Sequence, residues 1–166
     1  MSEAMRDRIS AALKKAQDEG DKRKSATLRL VQTAVKDREA AARENGKDGV
    51  KEEEVIEILQ KMVRQREVSA AEFESGGQLD LAEQEREEQK IIRDLLPVQL
   101  TNEETRAICE ETVKEIDAHG LRDISRCMNE LKSRYTGQMD FVQASCFVKD
   151  MLRSDASAER KASDAN

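Results

Sequence analysis

The sequence predicts an all-α protein, an N-terminal four-helix domain followed by a C-terminal three-helix domain. Three observations carry this. Apolar residues recur at helical spacing along most of the chain. Charged residues make up 39% of the 166 positions and aromatics 2%, and a Glu/Lys/Arg/Ala/Leu-rich composition at that period is a helical one. The one proline, Pro97, lacks a backbone donor and clashes with the preceding turn, so the helix entering Leu95 and Leu96 stops there. Thr101, with Glu104 three positions on, then spells a capping box that starts the next helix. A stop followed by a start divides the chain into residues 1–96 and 97–153. Residues 154–166 hold no large apolar side chain and are expected to be a disordered tail.

In the first helix Met5, Ile9, Ala12, Leu13 and Ala16 share one face, and Gly20 marks the stop. Asp21 caps a second helix running to about Asn45. Thr27, Leu28, Leu30, Val31, Ala34 and Val35 give it a wide apolar face, which predicts the central helix of a bundle. Lys22, Arg29 and Lys36 recur every seven residues on the remaining stripe with no acidic residue among them. Such a stripe is either a solvated face or an anion-binding one.

After the turn at Gly46–Gly49, a third helix from Lys51 to about Ser75 carries Val55, Leu59, Met62, Val63, Arg66, Ala70 and Phe73 on its seam. Gly76 and Gly77 turn the chain into a fourth helix with Leu81, Glu85, Glu88, Ile92 and Leu96 on one face. Antiparallel pairing about those glycines brings Arg66 opposite Glu85 and Glu88, which predicts a structural ion pair inside the hairpin. Desolvation offsets much of its attraction, so its expected role is to set register.

Beyond the joint, Ile108, Cys109, Val113 and Ile116 predict a helix ending near His119 and Gly120. Ile124, Cys127, Met128, Leu131 and Tyr135 predict another, ended by Gly137. Asp140 caps the last, built on Phe141, Ala144, Val148, Met151 and Leu152.

Several function classes fall away. The net charge of −6 divides evenly about Pro97, which argues against indiscriminate nucleic-acid or membrane binding and leaves only local patches. No apolar run approaches the roughly 18 residues of a membrane span, and the N-terminus lacks the apolar core of a signal peptide. Cys109, Cys127 and Cys146 are odd in number and unpaired in spacing, as expected of reduced thiols in a cytoplasmic protein. No membrane or DNA partner, metal or cofactor is expected. The single histidine, His119, is placed to meet the carbonyls of a helix end, not a nucleophile. A Cys₃His zinc set has no two ligands close in sequence, and no phosphate-cradling glycine loop is present.

The remaining polar cluster is Arg126, Lys132 and Arg134. Arg126–Glu130 and Glu130–Arg134 are each four apart, so a helix-surface ladder is one reading. The other is contact with RNA phosphates, salt-sensitive and directed at backbone and shape, because Phe73, Tyr135, Phe141 and Phe147 leave no open stacking platform.

Thr27-Leu-Arg-Leu30, Ala34-Val-Lys36 with Glu39, Lys61-Met-Val-Arg-Gln-Arg-Glu67, Phe73 with Gly76 and Gly77, Asp80-Leu-Ala82 and Leu95-Leu-Pro-Val-Gln99 follow one another at characteristic spacing. Arg122-Asp-Ile124, Met128, Arg134-Tyr135, Gly137-Gln-Met-Asp140 and Val148-Lys149 continue the series. Together they resemble the GatB/YqeY family along nearly all of the chain. The resemblance implies that the C-terminal domain is similar to the tail with which the B subunit of a glutamine-dependent tRNA amidotransferase holds tRNA. It brings the family label of a carbon–nitrogen ligase with glutamine as amido-N-donor. The activating domain and the glutaminase lie outside the shared tail, so the chain is expected not to be catalytic alone. The implied role is a tRNA-associated accessory protein using Arg126, Lys132 and Arg134 with the Lys22, Arg29 and Lys36 stripe. The alternatives are a protein–protein adaptor without RNA, or a subunit recruited to an amidotransferase. The chain departs from the family at Ser125-Arg126-Cys127-Met128, where a Gly-Lys-Val-Met-like run is favoured, and at Gln78, where a basic residue is common.

Overall fold

The computed structural model describes residues 4–165, and among these the secondary structure is all helical. The helices are α1 (Met5–Asp18), α2 (Lys22–Glu44), α3 (Glu52–Ser75), α4 (Leu79–Arg93), α5 (Asn102–Glu115), α6 (Ile124–Tyr135) and α7 (Phe141–Asp164), with a 3₁₀ turn at Leu121–Asp123 before α6. The chain separates into two compact units, Met1–Pro97 and Val98–Asn166.

In the first unit the buried faces of α1 and α2 meet α3 and α4 over one aliphatic core. Met5, Ile9, Leu13, Leu28, Val31, Val55, Leu59, Ile92, Leu95 and Leu96 belong to it. Aliphatic side chains are the only ones numerous enough to fill it, given three Phe, one Tyr and no Trp in the whole chain. Asp21 accepts from the Lys24 amide and starts α2. Lys51 and Glu54 close a capping arrangement at the start of α3, where Glu52, Glu53 and Glu54 also complement the helix dipole.

Two faces differ from their sequence patterns. On α2 the buried stripe is Ser25, Thr27, Leu28, Val31 and Val35, while Leu30 is 53% exposed. At about 100° per residue Leu30 lies about 200° round from Leu28, so one helix cannot bury both unless it is enclosed. On α4 the buried positions are Ala82, Gln89 and Ile92, and Leu81 is exposed. The buried position is Ala82, one residue on from Leu81, and Ala70 of α3 is buried as well.

In the second unit α5, α6 and α7 enclose a core of Cys109, Cys127, Met128, Leu131, Met139, Ala144, Val148 and Leu152. The chain enters it through Gln99, whose side chain donates to the Gly137 carbonyl at 2.7 Å, and Leu100, whose N–H donates to the Gln138 carbonyl at 2.9 Å. Gly137 has φ of 82°, a left-handed value that most side chains avoid. The Thr101–Glu104 capping box is formed in both directions, at 3.2 and 2.8 Å.

The disordered tail expected over 154–166 is corrected: α7 continues through it to Asp164, while Asn166 lies outside the described residues. Neither Gly nor Pro interrupts 141–164, and Ala, Arg, Glu and Lys propagate a helix once the packed half has nucleated it. A lack of large apolar residues removes packing but does not oppose helix.

Thr101→Ala removes one half of the reciprocal cap. The expected cost is about 1 kcal/mol, read as a lower urea midpoint with an unchanged denaturant slope.

Candidate nucleic-acid interface

On α2 the stripe opposite the buried face carries Lys22, Arg29 and Lys36, all exposed. Successive members are about 10.5 Å apart along the axis. Their neighbours one turn away are Ser25, Ala26, Gln32 and Thr33, none charged. Glu39, one turn past Lys36, is held by Arg6 at 2.7 Å. Among the described residues no ion pair engages Lys22, Arg29 or Lys36, although other cations of α2 are paired. Arg23 bonds Glu87, and Arg38 lies 3.9 Å from Glu54. The stripe is therefore a row of three exposed positive charges held in no ion pair among the described residues.

The α6 cluster is different. Arg134 is gripped on both sides, Nη1 by Glu115 at 2.8 Å and Nη2 by Glu130 at 2.7 Å. Arg126 donates to the Ile116 carbonyl and lies 3.6 Å from Asp123. Of the expected ladder only the Glu130–Arg134 rung is present. Arg126 turns away because Ile116 caps the end of α5, where carbonyls lack helical partners and attract a cation. Lys132 is exposed, and no ion pair engages it among the described residues. A phosphate approaching α6 would compete with carboxylates for both arginines.

Inside the α3–α4 hairpin, Arg66 Nε stands 3.3 Å from Glu88 Oε2, with both side chains only 13% and 16% exposed. The buried Nε is off the hydrogen-bond direction, so the contact is chiefly Coulombic, and Arg66 Nη1 also donates to the Met62 carbonyl at 3.3 Å. Gln89 donates to the Val63 carbonyl at 3.2 Å in the same seam. Glu85 is half-buried beside them, and no ion pair to it is found among the described residues.

A family model described as Yqey-like protein matches residues 6–152. The chain belongs to the Yqey-like family. No curated protein matches it. The family match takes in the α2 stripe, the hairpin pair and the α6 cluster, and it ends at Leu152, twelve residues before the end of α7.

The thiols of this Yqey-like chain are not arranged as nucleophiles. Burial pushes Cys109 up to about 11 and also raises Cys127, so both stay protonated near neutral pH. Cys146 is exposed. The ring of His119 faces carboxylates: Nε2 is 2.8 Å from Asp117, and Nδ1 is 3.1 Å from Asp155. The sequence pattern placed this ring against helix-end carbonyls and did not flag Asp155 or Glu159. The available signal was the uninterrupted run of helix formers past Leu152.

The hairpin pair yields a stability test. Arg66→Ala should cost about 1–3 kcal/mol by leaving a mostly buried carboxylate without its cation. The size-matched apolar double variant R66M/E88L should fall within about 1 kcal/mol of the parent, both read by urea denaturation.

Proposed function

We propose that this Yqey-like protein is a non-catalytic, tRNA-associated accessory protein of the cytoplasm, linked to glutamine-dependent amidotransferase biology. In this reading its two units are a four-helix domain and a three-helix domain. The observation that carries it is the α2 stripe: Lys22, Arg29 and Lys36 are exposed and in no ion pair among the described residues, in a chain whose net charge is −6. Three cations spaced by whole turns on one rigid helix suit a phosphate backbone and carry no base-reading geometry. The similarity of the C-terminal domain to a tRNA-holding tail supports the same partner.

Arg126, Lys132 and Arg134 take a secondary part here. Lys132 is available as it stands, whereas the two arginines must exchange carboxylate or carbonyl partners for phosphate. That exchange reduces the net gain from each contact. The burial that raises the Cys109 and Cys127 thiols and keeps them protonated supports the non-catalytic reading.

A second reading, docking to a protein such as an amidotransferase subunit, is favoured by exposed apolar side chains flanking the hairpin turn. Val68 is 58%, Leu79 63% and Leu81 40% exposed.

Filter binding of tRNA over a salt series separates these. The triple variant K22E/R29E/K36E should abolish measurable binding. The neutral triple variant, with Gln at all three positions, should lower the salt slope by roughly 2–3, as expected for three lost phosphate contacts. R126E/R134E should weaken binding less than the α2 reversal. Binding unchanged in the α2 triple variants would remove the stripe from the interface.

A further inference from the structure

His119 lies in the loop between α5 and the 3₁₀ turn, and its environment is built from three directions. Its backbone N–H donates to Asp123 Oδ2 at 2.8 Å, tying the loop to the 3₁₀ turn. Ring Nε2 is 2.8 Å from Asp117 Oδ1. Ring Nδ1 is 3.1 Å from Asp155 Oδ2 and 3.8 Å from Glu159 Oε1, one turn apart on α7. Ionised carboxylates only accept hydrogen bonds, and a neutral imidazole has a single N–H. Neutral His119 therefore satisfies Asp117 or Asp155 and sets a nitrogen lone pair against the other. Only the imidazolium donates in both directions.

The residues on the α7 side lie beyond the family match, which ends at residue 152. They also lie beyond the last buried residue of the helix, Leu152. From 153 to 165, only Asp155 and Ala156 are even half-buried. Among the described residues, the other side-chain hydrogen bonds of 153–164 run to carbonyls of α7 itself, Ser154 to Asp150, Ser157 to Arg153 and Ser163 to Arg160, and no other ion pair ties the segment to α5, α6 or the loops. A helical extension of three turns without packing is marginal in water, so its single polar tether decides whether it stays in place.

We propose that His119 is a proton-operated latch. Its imidazolium clamps the C-terminal extension of α7 through Asp155 and Glu159, and loss of that proton releases residues 153–164 from the unit.

The surrounding charges favour the latched form. Asp117 from the loop, Asp123 from the 3₁₀ turn, Asp155 and Glu159 from α7 and Glu110 from α5 are acidic. Lys114 of α5 lines the same cleft, and Arg122 and Arg126 stand near Asp123. The Asp155 hydrogen bond first, then that of Asp117, raises the imidazole above its ordinary value of about 6.5. A pKa raised on folding stabilises the latched state fully below about pH 6.5, and that stabilisation is lost as pH rises through the raised value. The extension is thus held under mildly acidic conditions and freed under alkaline ones.

Because His119 is the only histidine, its ring resonances in the full chain can be followed by NMR without assignment ambiguity, in EDTA-containing buffer. The expected midpoint lies above 6.5. Amide exchange protection of 153–164 should fall through the same midpoint while Leu131 and Val148 keep theirs. In H119Q the pH dependence of 153–164 should vanish, and in D155N the His119 midpoint should move down toward its ordinary value. Protection of 153–164 that stays flat across the titration, or that falls equally in H119Q, overturns the latch. So does a midpoint that appears only when EDTA is replaced by a divalent cation, since a metal would then be doing the clamping.

Discussion

The seam between α3 and α4 is the constraint on which the N-terminal unit rests. The two helices are joined by a turn at Gly76 and Gly77, with φ of 74° at Gly77, and run back along each other in a register that two contacts agree on. Gln89 bonds the Val63 carbonyl and Arg66 meets Glu88, while Ala70 and Ala82 are each buried. The polar members oppose a slip of register, because either shift strands a mostly buried charge. With that seam in place Val55, Leu59, Ile92, Leu95 and Leu96 present one aliphatic surface, against which α1 and α2 bury theirs. A core without tryptophan and almost without aromatics gains its stability from many modest aliphatic contacts, so the accuracy of the seam matters more than any one residue.

The distribution of charge follows from the same packing. At 39% charged residues several arginines find carboxylates, because both signs crowd the surfaces left by narrow apolar stripes. Arg6, Arg23, Arg38, Arg86 and Arg134 are all paired. Exposed pairs of this kind add little stability, but they decide which cations remain available to a ligand. Lys22, Arg29 and Lys36 remain available because α2 buries its other side and because the intervening turn contributes only uncharged residues. The helix end at Ile116 acts in the opposite sense on α6, where its carbonyl draws in Arg126.

Much of this organisation is legible in the sequence wherever a local rule suffices. The Thr101–Glu104 box, the Asp21 and Asp140 caps and the exposure of the cationic stripe all follow from residues within a few turns of each other, whereas α4 ends at Arg93, ahead of the stop expected at Pro97. What escapes such reading depends on a neighbour distant in sequence. Leu30 looks like core until the neighbouring helices are found to cover only one side of α2. Leu81 looks like core until Ala82, one position on, is found to be the buried residue. Residues 154–164 look structureless because they bury almost nothing, yet α7 carries through them and returns Asp155 to His119, thirty-six positions earlier.

By itself the amino-acid sequence determined where most of the helices lie and several of their caps, since these depend on backbone sterics and on hydrogen bonds that close within one turn. It also determined that Arg66 needs an acidic partner, because a cation on an apolar seam is otherwise desolvated without compensation. Only the tertiary structure decided that the partner at ion-pair distance is Glu88, which cations keep their charge exposed, and that three carboxylates converge on His119. Each of those outcomes turns on angstrom-scale distances between segments far apart in the chain. Helical periodicity states which face a residue occupies, and it carries no information about what that face will meet.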